Sequence, residues 1–225
     1  MHRRPESERG FTLVELAVTI AIVLVLAGLA WSGLSRLRPR ARLADASSEL
    51  VALVHGARQQ ALASGHDVVV MFFPQFAGPE STGRVVVYED GDFSLFNAAA
   101  TPNFAGYDPA TAAHGPRSDV VATYDLPPSV VIGPATGAGS GAVLPAPLDG
   151  IAIDLDCSFC ATTSDRRGAI RFDSRGRASF FSTNGLPLAN QRGGTLSLAA
   201  PDVDGQRSLI VTSGTGSVSL RNQGG

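Results

Sequence analysis

The sequence predicts an α+β protein in which a long N-terminal helix packs on a β-rich head of two antiparallel sheets. The helix reads as membrane-spanning in its first part and amphipathic in its second. Three observations carry this. An apolar run from Phe11 to Trp31 is interrupted only by Thr12, Glu15, Thr19 and Gly28. In 41–64 the apolar residues Leu43, Leu50, Val54, Ala57 and Ala61 fall on one helical stripe, with Asp45, Glu49, Gln59 and Gln60 away from it. From residue 66 onward short apolar runs alternate with turns, in a chain that holds 25 Gly and 14 Pro among 225 residues.

Taken in order, residues 1–10 form a polar leader with Arg3, Arg4 and Arg9 against Glu6 and Glu8. Residues 11–34 form the spanning helix: a run of about 20 residues, roughly 30 Å as a helix, matches a bilayer core. A carboxylate near the bilayer centre costs on the order of 3 kcal/mol, so Glu15 requires a positive partner or a role. Residues 35–65 carry the amphipathic helix, with a kink expected at Pro39 and a stop at Gly65. The head, 66–225, is predicted to hold strands near 67–73, 84–89, 119–126, 129–133, 150–155, 168–173, 177–182, 195–199, 207–212 and 217–221. Asp90-Gly91, Arg175-Gly176 and Asn184-Gly185 mark turns, and 97–118 and 133–150 read as loops.

Composition excludes several function classes. All 18 basic residues are Arg against 20 acidic ones, a net charge of −2, which does not suit a nucleic-acid coat protein. His55, His66 and His114 lack metal-ligand spacing, and no nucleophile elbow, phosphate-binding loop or His-Glu-x-x-His motif occurs. The acid pairs Asp90/Asp92, Asp154/Asp156 and Asp202/Asp204 do not complete a calcium loop and read as turn acids. The expectation is a protein without catalytic residues, cofactor or metal.

Two processing schemes fit the N-terminus. A secretory signal would end in small-x-small at Gly28-Leu29-Ala30 and release a secreted β-protein. The other scheme takes Gly10-Phe11-Thr12-Leu13-Val14-Glu15 as a unit, which resembles the prepilin signature of type IV pilins and secretion pseudopilins. The resemblance implies cleavage between Gly10 and Phe11 and N-methylation of Phe11 by a prepilin peptidase/N-methyltransferase. It also implies pairing of Glu15 with the new N-terminus, its own or a neighbouring subunit's, during filament assembly. Counting basic residues opposes the implied orientation, because Arg36, Arg38, Arg40 and Arg42 outnumber the three arginines of the leader. The resemblance keeps the leader cytoplasmic.

Further along, Ala169-Ile170-Arg171-Phe172-Asp173-Ser174-Arg175-Gly176 and the pair Ser208–Val211 and Gly214–Val218 are similar to elements of the GspH/FimT family of minor pilins and pseudopilins. The 57–65 helix end and the following DVVVMF run are similar to that family as well. This implies a minor pseudopilin of type II secretion, single-pass in the bacterial inner membrane with a periplasmic head. Its partners would be other major and minor pseudopilins, inner-membrane lipid and secreted substrate proteins. A FimT-like minor pilin, acting in pilus assembly or DNA uptake, is the alternative.

Two clusters bear on that choice. Arg166, Arg167, Arg171, Arg175 and Arg177 could form a phosphate-binding patch. Against it, residues 65–225 hold 10 Arg and 15 acidic residues, and Gly216-Ser217-Val218-Ser219 lacks the arginines of the Gly-Arg-x-Arg element that DNA-binding relatives share. DNA is therefore disfavoured as a partner. Cys157-Ser-Phe-Cys160 cannot close a four-ligand zinc site alone and lacks the strand–helix context of a thioredoxin-like site. In a periplasmic head these cysteines would form a local disulfide worth about 2 kcal/mol.

Overall fold

The computed structural model describes residues 12–76, 82–97, 103–111, 119–135, 142–148, 150–160, 166–189, 191–201 and 205–223, with the side chains of 30 and 32–37 excepted. The leader, Gly10 and Phe11 lie outside these residues. The chain divides into two compact units, Met1–Arg38 and Pro39–Gly225.

Helix α1, Leu13–Ser64, contributes to both units and retains Pro39 inside it. The kink expected at Pro39 corresponds to no break in the helix, although the division between the units falls immediately before that residue. In the first unit every described side chain from Thr12 to Leu29 is exposed. The spanning helix expected at 11–34 is not reproduced as such: among the described residues no helix is long and apolar enough to cross a membrane.

In the second unit the α1 stripe is buried as its spacing demands, with Leu43, Ala46, Leu50, Val54, Ala57 and Ala61 at most 6% exposed. The helix ends at Gly65, whose φ of +74° suits glycine and whose N–H closes on the Ala61 carbonyl at 3.1 Å. Among the described residues nine strands follow: β1 (Asp67–Phe73), β2 (Arg84–Asp90), β3 (Val120–Asp125), β4 (Val131–Ile132), β5 (Gly168–Phe172), β6 (Ala178–Phe181), β7 (Gly193–Ala199), β8 (Gln206–Thr212) and β9 (Val218–Gln223). They form two antiparallel sheets, β3-β2-β1-β5-β6 and β4-β7-β8-β9. The main core joins the α1 stripe to one face of each sheet, through Val68, Val70, Phe72, Ile170 and Phe172 from the first and Leu196, Leu198, Leu209 and Val211 from the second.

The two stretches expected to be plain loops contribute to covering layers, Phe104 and Tyr107 from 97–118 beside the preceding Leu95, and Leu144 from 133–150 beside the following Ile153. Leu95, Phe104 and Tyr107 lie on the far face of the first sheet against Val69, Met71, Phe73, Val86, Tyr88 and Phe181. Leu144 and Ile153 cover Ile210 on the far face of the second. Consequently β1 and β7 are buried along their whole length.

The strand expected at 150–155 is absent, and the reason is competition for an edge. The outer edge of β7 is already occupied, by β4 at Leu198 and Ala199 and by 156–158 at Thr195 to Ser197. Residues 150–153 instead cross the outer face. The Ala152 carbonyl accepts from Thr195 Oγ1, and the Ile153 carbonyl accepts from Ser197 Oγ at 3.0 Å and Gln206 Nε2 at 2.6 Å. Side-chain donors thus tie this segment to β7 and β8, while its backbone pairs with 142–144 through Leu144 N–H to the Ile151 carbonyl and Ile153 N–H to the Ala142 carbonyl, both at 3.0 Å.

Candidate functional site

The N-terminal segment is built on an exposed helix start. Thr12 caps it: its Oγ1 accepts from the Glu15 N–H at 3.3 Å and its carbonyl from the Leu16 N–H at 3.1 Å. Thr12-Leu13-Val14-Glu15 therefore has the spacing of a capping box, with a carboxylate in the first turn where the helix dipole favours it. Sequence reading of Glu15 as an assembly residue passed over this local role, whose signal is the Thr-x-x-Glu spacing. Thr19 Oγ1 also donates to the Glu15 carbonyl.

Beyond the cap, apolar side chains surround the helix. Leu13, Val14, Leu16, Val18, Ile20, Ile22 and Val23 through Leu26 are each more than half exposed, as are Leu29 and Trp31. A helix apolar on all sides is stable only when something else covers it.

The Cys157–Cys160 turn lies in the head, and the two cysteines are joined in a disulfide. Ser158 donates its N–H to the Thr195 carbonyl at 2.9 Å, and its Oγ accepts from the Thr195 N–H at 3.0 Å. This docks the turn on β7 and drives Phe159, 1% exposed, between the sheets. Its ring centroid lies 5.7 Å from that of Phe72 and 5.4 Å from that of Phe180. Gly168 and Gly194 make the room, since a Cβ on either would come within 3 Å of the Phe159 ring. The wedge was not legible in sequence, because nothing in Cys-Ser-Phe-Cys distinguishes an inward from an outward Phe.

The five arginines read as a patch are dispersed among separate duties. Arg166 Nη1 pairs with Asp156 Oδ2 at 2.8 Å. Arg167 Nη1 donates to the Phe104 and Tyr107 carbonyls at 3.1 and 2.8 Å, with its guanidinium over the Phe73 ring, and so ties the covering segment to the sheet. Arg171 lies 3.5 Å from Asp67 and over Phe181. Arg177 pairs with Asp173 at 2.7 Å. Burial alone would raise the Asp173 carboxyl, but the N–H groups of Arg177 and Arg175 and the Arg177 guanidinium outweigh it and hold it below its ordinary value. Arg175 is exposed at the turn.

A second junction joins α1 to two hairpin turns. Arg58 Nε donates to the Gly176 carbonyl at 3.1 Å, and a Cβ on Gly216 would stand 2.1 Å from that same oxygen. Among the described residues no group of three or more His, Cys, Asp or Glu could hold a metal ion. The Asp90 carboxylate instead accepts from the Ser94 and Leu95 N–H groups at 3.0 and 3.2 Å, and Asp202 and Asp204 lie outside the described residues.

An exposed apolar helix behind a short cationic leader, followed by a two-sheet head, is the arrangement of a subunit carried by its N-terminal segment. A family model of the prokaryotic N-terminal methylation motif matches residues 7–31. The match supports a type IV pilin-like protein, a class that comprises pilins and pseudopilins. It implies processing by a prepilin peptidase, assembly with other pilins and association with the cell envelope. Comparison with curated proteins and with solved structures gives no match.

Proposed function

We propose that the chain is a minor pseudopilin of a type II protein secretion system, of the GspH/FimT kind, with a structural rather than enzymatic role. The observation that carries this reading is the helix start: a prepilin-type motif continuous with apolar side chains exposed on every side of α1. The apolar run, Phe11 to Trp31, is seated in the inner membrane before assembly and among neighbouring subunits' helices afterwards. Phe11 becomes the methylated N-terminus, and Glu15 pairs with it or with a neighbour's. The head faces the periplasm, where a disulfide such as Cys157–Cys160 persists. It contacts other pseudopilins or secreted proteins.

The GspH/FimT-like segments occupy β5 with its turn and the β8–β9 hairpin. Internal pairing of Arg166, Arg171 and Arg177 with carboxylates, and the acidic balance of the head, favour secretion over DNA uptake.

The test is a clean deletion in the native host, scored for secreted proteins, surface pili and transformation. Loss of secretion with intact pili is the expected result. Intact secretion with lost pili or DNA uptake would assign the chain to a type IV pilus as a FimT-like minor pilin. Sequencing the mature N-terminus separates both from a secreted β-protein: methylated Phe11 is expected, and Trp31 would refute the prepilin scheme.

A further inference from the structure

We propose that the arginines following the apolar run form a collar for anionic phospholipid headgroups. The inference rests on the reading above that the run is seated in lipid. Residues 36–42, RLRPRAR, hold four of the chain's 18 arginines, and no acidic residue occurs between Glu15 and Asp45. This block of positive charge opposes the leader-inside orientation. Arg38, Arg40 and Arg42 are exposed, and none of the three forms an ion pair among the described residues. Arg42 alone reaches the head, through 3.4 Å contacts with the Pro128 carbonyl and Ser129 Oγ.

Their spacing decides what kind of anion they suit. At about 100° per residue, arginines two apart fall on opposite sides of a helix. Positions 36 and 38 in the first unit are so related, and so are positions 40 and 42 in the second. A rod-like polyanion meets one side of a helix only, whereas a layer of headgroups surrounds it. Seven residues span at most about 25 Å even when fully extended, so the charges stay within one layer whatever the local backbone does.

Trp31 sets the depth of that layer. It is the chain's single tryptophan and is 74% exposed at the end of the apolar run. Tryptophan favours the headgroup level of a bilayer. Arg38 follows seven residues later, about 10 Å along the helix, and an arginine side chain can reach back along its own stem. That keeps the guanidinium groups within about a Debye length of the lipid phosphates at 0.1 M salt.

The test uses the full chain in phosphatidylcholine nanodiscs that carry a small, equal fraction of dansyl-phosphatidylglycerol or dansyl-phosphatidylcholine, with Trp31 as energy donor. Transfer to the anionic probe is expected to exceed transfer to the zwitterionic one by about two-fold at low salt, and the two should converge as salt rises. The preference should vanish in Arg36→Gln/Arg38→Gln/Arg40→Gln/Arg42→Gln. It should fall in Arg38→Gln/Arg40→Gln, which keeps the Arg42 contact with the head. Equal transfer to both probes in the unmodified chain overturns the collar alone. Transfer to neither probe overturns the seating in lipid, and the collar with it.

Discussion

Truncating Phe159 to alanine would remove the ring that touches both sheets, and the surroundings limit how far the gap can close. Its neighbours on either side are Gly168 in β5 and Gly194 in β7, which have no side chain to swing inward and whose backbones are held in ladders. The Phe72 and Phe180 rings lose a packing partner together. Buried Phe→Ala changes cost about 3–5 kcal/mol, and a site that cannot collapse belongs in the upper half of that range. In a domain of this size 1 kcal/mol moves the midpoint by about 2–4 °C, so a fall of roughly 8–20 °C is expected.

The assay is thermal unfolding of the full chain in detergent, followed by near-ultraviolet circular dichroism. Phe93→Ala, at a side chain 61% exposed, serves as the control and should shift the midpoint by less than about 2 °C. Gly168→Ala should be severe alone and milder in the Phe159→Ala background, because the closest clash of the new Cβ is with the Phe159 ring at 2.6 Å. A Phe159→Ala chain that melts within about 3 °C of the unmodified protein would refute the wedge.

Gly216→Ala combines a φ of +60° with a Cβ placed 2.1 Å from the Gly176 carbonyl and should cost at least about 2 kcal/mol by denaturant unfolding; Gly214→Ala, which faces open space, should change little. Burial pushes the Asp90 carboxyl up, against the hydrogen bonds that Leu95 and Ser94 donate to it. A raised carboxyl stabilises the fold fully below its unfolded value, and that contribution is lost as pH rises through the folded one. Asp90→Asn should therefore equal or exceed the unmodified chain at neutral pH and forfeit the gain below about pH 4. Asp90→Ala, which leaves the buried Leu95 N–H without its acceptor, should lose about 1–3 kcal/mol in the same titrated melts. Glu15→Ala should leave cleavage between Gly10 and Phe11 intact while reducing the subunit's recovery in sheared filaments; undiminished recovery would show Glu15 to be a helix cap only.

Where the sequence was readable, a single physical pattern was enough. The Leu43–Ala61 stripe is buried because helical spacing and one-sided packing specify the same residues. Most β runs are strands because turn residues punctuate them. The exceptions involve competition between segments distant in the chain. Ile151, Ile153 and Leu155 alternate as a strand would, yet the β7 edge that they would join is taken by β4 and the disulfide turn. Segment 97–118 reads as a loop, and the value of its Phe104 and Tyr107 appears only once the far face of β1 exists to receive them. The arginines of 166–177 are neighbours in sequence, but strand and turn geometry sends Arg166, Arg167, Arg171 and Arg177 to different carboxylates, carbonyls or rings and leaves Arg175 exposed.

The complete burial of β1 has a consequence for how the head assembles. A strand with one wet face resists slippage, since a shift by one residue would turn its apolar set outward. Val68 through Phe73 offer no such safeguard, because both faces are equally greasy and a slipped β1 would still satisfy the hydrophobic effect. Its alignment must come from its ends and partners: Asp67 against Arg171, and Phe72 opposite Gly168, where the Phe159 ring needs its space. A strand that is apolar on both faces is thus placed by a few polar and small residues that belong mostly to other segments.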